Sequence, residues 1–114
     1  MVLDQGEKIH VILCRNFESD PHRHFIGEVV IANDTLARVE GYVFVFDILS
    51  GSYIFRPGKR TRMLSLIDSG NIINVLPSNA NIEDAQYTQS QDSKLVVSDG
   101  KTFSLDINEF GISH

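Results

Sequence analysis

Apolar and polar positions alternate along much of this chain, the pattern of strands with one buried face. The alternation is longest in Leu36–Ile48, where β-branched and aromatic residues suited to a pleated surface dominate. Ala37, Val39, Gly41, Val43 and Val45 fall on one side, all apolar or small. The other side opens with Arg38 and Glu40 and turns aromatic at Tyr42, Phe44 and Phe46. Such a strand exceeds the usual length, so Gly41 predicts a bulge or bend within it.

A second run, Tyr53–Phe55, follows at once, and Ser50-Gly51 between the two predicts a hairpin turn. A loop of Ser50-Gly51, or of Leu49–Ser52, sets Ile48 opposite Tyr53 and Phe46 opposite Phe55. Tyr42, Phe44, Phe46, Tyr53 and Phe55 then form a stripe on one face, with Ile48 at its end. Such a stripe needs cover from a second sheet, a partner subunit or a ligand. The layered habit of domains favours a second sheet.

Shorter segments repeat the theme. Lys8–Arg15, Phe25–Ala32, Thr61–Ile67 and Ile72–Leu76 read as strands, the last stopped by Pro77. Asn16–Arg23 reads as a polar loop, and Pro57-Gly58 as a turn inside the basic loop Arg56–Arg62. Ser78–Ser93 lacks alternation, although Asn81 could cap a short helix with Glu83 and Asp84 in its first turn. Lys94–Val97 and Thr102–Asp106 form a last hairpin around Asp99-Gly100. The sum is an all-β fold, an antiparallel sandwich or small barrel of about eight short strands. At most one short helix is expected, in residues 78–93.

Composition narrows the setting. The 114 residues fit a single domain, 1–114, large enough to hold its own core. A hydrophobic content of 42% with 22% charged residues argues against disorder. No apolar run approaches the roughly 20 residues that span a bilayer. The start, MVLDQGEKIH, lacks the basic and apolar segments of a signal peptide. Cys14, the one cysteine, cannot form an internal disulfide and suits a reducing compartment, so the expected location is cytoplasmic.

A net charge of −5 disfavours bulk attraction to nucleic acid or to an anionic membrane, and no membrane partner is expected. The average hides an asymmetry, because Arg56, Lys59, Arg60 and Arg62 give one seven-residue window a charge of +4. These four are the candidate contacts for an anionic ligand or an acidic protein, since guanidinium and ammonium donors gather phosphate and carboxylate oxygens. The competing reading is an edge strand guarded by charge against pairing with other chains. Joined to the aromatic stripe, the same cations suggest a second function, single-stranded nucleic-acid binding by stacking and backbone contacts. A third candidate is metal binding by His22 and His24, which point the same way on an extended segment but lack further ligands nearby. Cys14 and His10 lie too far apart along one strand for a nucleophile–base pair. No hydrolase, phosphate-loop or dinucleotide motif occurs, and no cofactor is expected. The sequence therefore favours a non-catalytic binding or assembly module, with the aromatic stripe as the route to a homodimer.

Overall fold

The computed structural model describes residues 3–15, 17, 19–67, 70–89 and 95–107. Among them are β1 (Lys8–Ile12), β2 (Arg23–Ala32), β3 (Leu36–Asp47), β4 (Ser52–Ser65), β5 (Ile72–Val75), β6 (Gln86–Gln89), β7 (Leu95–Ser98) and β8 (Ser104–Asp106). They form two antiparallel sheets, one ordered β4-β3-β2-β1-β5 and the other β6-β7-β8. The architecture is the expected all-β one, and sandwich-like. Its helical content among the described residues is one 3-10 turn, Ile82–Asp84, capped by the Asn81 side chain, which accepts from Glu83 N at 3.1 Å.

Through β1, β2 and β3 the five-stranded sheet buries side chains on both faces. Ile9, Val11, Phe25, Val29, Val39 and Val43 share its first face with Leu64 and Ile73. Leu64 sits on one edge strand and Ile73 on the other, so the sheet curls around this face until its edges meet in one core. On the second face Ile26, Phe44 and Tyr53 pack against Leu95 and Val97 of the small sheet and against Ile82. The cover over the aromatic stripe is thus supplied by the chain itself. Each large side chain taken out of water here contributes about 1.5–3 kcal/mol, which is why two small cores suffice.

Gly41 borders the register shift between β3 and β4, although the extra residues lie on β4. It stands directly opposite Gly27, and a Cβ on Gly41 would lie 2.1 Å from the Ile26 carbonyl oxygen. Only two strands without side chains at this crossing can approach so closely.

Four details differ from the sequence reading. The β3–β4 loop is Ile48–Gly51, so Phe46 pairs with Tyr53 and Phe44 with Phe55, two residues away from the expected register. Asp47 causes the shift: its carboxylate accepts from Ser50 N at 3.2 Å and its carbonyl from Gly51 N at 2.9 Å, ending the strand early. A shift of two keeps every side chain on its face, so the stripe survives. Pro57-Gly58 is not a turn but part of a bulge inside one continuous β4, where Gly58 takes a φ of 100°. β2 begins at Arg23, the last residue of the expected polar loop, and so carries both Arg23 and His24 within the strand. Finally, β6 lies inside the segment that shows no alternation, because Tyr87 is its one apolar side chain.

Candidate anion-binding rim and a buried imidazole pair

Partners across an antiparallel ladder share a face. Arg56 pairs with Val43, Arg60 with Gly41 and Arg62 with Val39, so all three arginines project on the first, concave face of the sheet. Arg23 pairs with Val45 and joins them. Arg23 and Arg62 line one cavity of about 350 Å³, whose floor includes Leu13, Phe25, Val43 and Leu64. None of these four arginines makes an ion pair with a carboxylate among the described residues. Arg60 Nη1 is buried without a hydrogen-bond partner among the described residues, a donor that an acceptor oxygen would satisfy.

Lys59 behaves differently. The bulge sets Pro57, Gly58 and Lys59 against the single residue Tyr42 on β3. Lys59 Nζ then reaches Glu40 at 3.6 Å and Glu83 at 3.5 Å, and the Tyr42 hydroxyl donates to the same Glu83. The Glu83 charge raises the Lys59 pKa, and the hydrogen bond to Glu83 raises that of Tyr42. Lys59 is therefore committed to tying β4 to the 3-10 turn, and it leaves the set of free cations.

The aromatic residues lie on the opposite face from the arginines. Phe44 is 3% exposed and Tyr53 5%, Tyr42 and Phe46 are half-buried, and only Phe55, at 47%, is open to solvent. Rings and guanidinium groups do not form the single surface that stacking with backbone contacts requires. Nor are Phe44 and Tyr53 available to a partner subunit.

The second face holds a feature the sequence does not announce. His10 of β1 and His24 of β2 are both buried, with His10 Nε2 3.2 Å from His24 Nδ1. Tyr87 Oη, from the other sheet, lies 2.9 Å from the first nitrogen and 2.7 Å from the second. Asn74 Nδ2 approaches His10 Nδ1 at 3.4 Å. Bond accounting assigns the protons: Asn74 donates to His10 Nδ1, His10 Nε2–H to Tyr87 Oη, and the Tyr87 hydroxyl to His24 Nδ1. Burial lowers the His10 pKa to about 4, which keeps the ring neutral. Burial also drives the Tyr87 phenol well above its ordinary value and Tyr53 up to about 12. The hydrogen bonds of the cluster join β1 and β2 to β6 as a polar bolt between the sheets. The Tyr53 ring stacks on His24 at 4.2 Å and on Tyr87 at 4.7 Å, closing the bolt from the β4 side.

The remaining sequence candidates are dispersed. His24 faces His10 rather than acting with His22, whose ring meets Phe46 edge-on at 6.3 Å. No group of three or more His, Cys, Asp or Glu among the described residues is placed to hold a metal ion. Cys14 is exposed while His10 is buried. Arg23 is the site residue that sequence reasoning misses. Extending the alternation of β2 back by two residues would have put it on the Phe25 face.

Comparison of the chain with family models, with curated proteins and with solved structures finds no match.

Proposed function

We propose that this protein is a non-catalytic binding module that holds an anionic ligand or acidic partner through Arg23, Arg56, Arg60 and Arg62. The observation that carries the reading is the concentration of these guanidinium groups on one concave face, with no carboxylate paired to them among the described residues. Guanidinium donors left in that state are a ready match for phosphate or carboxylate oxygens, which accept two parallel hydrogen bonds from each fork. Arg60 Nη1, buried with no hydrogen-bond partner among the described residues, supports the same reading. The exposed thiol of Cys14 fits a reducing, cytoplasmic setting.

Replacing Arg60 and Arg62 together by Ala tests the idea. Binding to heparin, as a generic polyanion, should weaken by about tenfold or more at low salt, since each lost contact to a charged group is worth roughly 1 kcal/mol or more. Thermal stability should change little, because neither side chain forms an ion pair among the described residues. Unaltered heparin retention, with a large fall in stability, would make the arginines part of the scaffold instead.

A further inference from the structure

The order of the large sheet places two loops side by side. Chain leaving β1 for β2, and chain leaving β3 for β4, turn at the same end of neighbouring strand pairs. At that end the hairpin tip presents Leu49 at 97% exposure and Ile48 at 86%, and the β1–β2 connection presents Phe17 at 70%. One exposed apolar side chain is ordinary, but large ones gathered at adjacent loop tips are the pattern of a surface that meets something apolar. The same end carries cations. Arg23 stands opposite Val45 and Arg56 opposite Val43, close behind the tip on the concave face.

We infer that this end of the molecule docks on an anionic lipid surface. The inference rests on the reading of the arginines as anion contacts and names the surface that presents the anions. Ile48, Leu49 and Phe17 enter the boundary between headgroups and acyl chains, while Arg23 and Arg56 meet headgroup phosphates and carboxylates. Apolar tips projecting ahead of a tier of guanidinium groups match the order of a bilayer, acyl chains within and charge above. A soluble acidic protein would use the cations but leaves the tips unexplained. Among the described residues, the carboxylates at this end, Asp20 and Asp47, each hold a backbone N–H of their own loop. Asp47 accepts from Ser50 N at 3.2 Å, and Asp20 accepts from Phe17 N at 3.2 Å. The chain's net charge of −5 matters less than these local groups, because charges beyond about 8 Å are largely screened at physiological ionic strength.

The test is sedimentation of the full chain with vesicles of phosphatidylcholine alone and of phosphatidylcholine mixed with phosphatidylserine, alongside heparin retention. The wild-type protein should sediment with the mixed vesicles and stay in solution with the neutral ones. The double variant Ile48→Ser, Leu49→Ser should bind mixed vesicles roughly tenfold or more weakly, as the loss of two apolar side chains implies. Its heparin retention should be unchanged, since a soluble polyanion offers nothing for the tips. Both side chains are exposed, so the variant should fold, which circular dichroism checks. Arg23→Ala with Arg56→Ala should weaken both kinds of binding. A wild-type protein that ignores mixed vesicles overturns the inference, as does equal binding to both vesicle types or an unaffected Ser double variant. Heparin binding that persists in any of these cases keeps the anion-binding reading and points to a soluble acidic partner; its absence removes both.

Discussion

His10 shows how much one buried residue can set. Its ring is enclosed between two sheets and neutral, with its pKa lowered to about 4 by burial. An unfolded chain would protonate the same ring near pH 6.5. Between those two values the unfolded state binds more protons than the folded one, so stability is full above about pH 6.5 and is lost as pH falls toward 4. The shift corresponds to roughly 3 kcal/mol for the one residue. Denaturant unfolding across this range should show the fall, and His10→Gln should remove much of its slope; equal slopes would mean that another group dominates. Little of this is visible in the sequence. His10 reads as one more residue on the less apolar side of a strand, and the partner that explains it, Tyr87, comes from a segment with no alternation. Asp99, by contrast, is legible. Its Asp-Gly turn forms, and although desolvation raises its pKa, hydrogen bonds from Asn81 N, Thr102 and Lys101 N outweigh that and hold it well below the usual carboxylate range.

At the scale of elements, β3 is the strand most fully specified by its sequence. Both of its faces are apolar through Val43–Val45, and both meet a core. Phe44 packs at 5.0 Å from Tyr87 and 5.5 Å from Phe55, inside the protomer. Phe44→Glu should therefore unfold the chain rather than dissociate an oligomer, because a buried carboxylate would have no partner. Size-exclusion with circular dichroism separates the outcomes, and a well-folded variant of smaller size would restore the stripe as a subunit interface. Faces were legible here because the period of two survives a register shift of two. Turn positions were not, because they depend on local hydrogen bonds that the alternation does not encode. Ser50-Gly51 and Pro57-Gly58 carry similar turn signals, yet the first closes a hairpin and the second bulges within a strand. The difference lies in Asp47, which secures the first turn, and in β3, which continues past the second as a pairing template.

For the molecule as a whole, the expected count of about eight strands holds through two compensating differences. Two expected strands join as β4, while β6 appears where no pattern marks it. The two cores share a single sheet, and its strand order has a consequence for how the chain finds its shape. β2, β3 and β4 are consecutive and joined by short turns, whereas β1 pairs with β5 only when Ile9 meets Val75. Bringing distant residues together costs chain entropy before any contact repays it, so the central meander should order first and the β1–β5 seam last. Val39→Ala, within the meander, should then slow folding, while Ile73→Ala, in β5, should mainly hasten unfolding. Stopped-flow chevrons of the two variants read this directly. A folding limb slowed as much by Ile73→Ala, per unit of stability lost, would mean that the curl of the sheet closes before the rate-limiting barrier rather than after it.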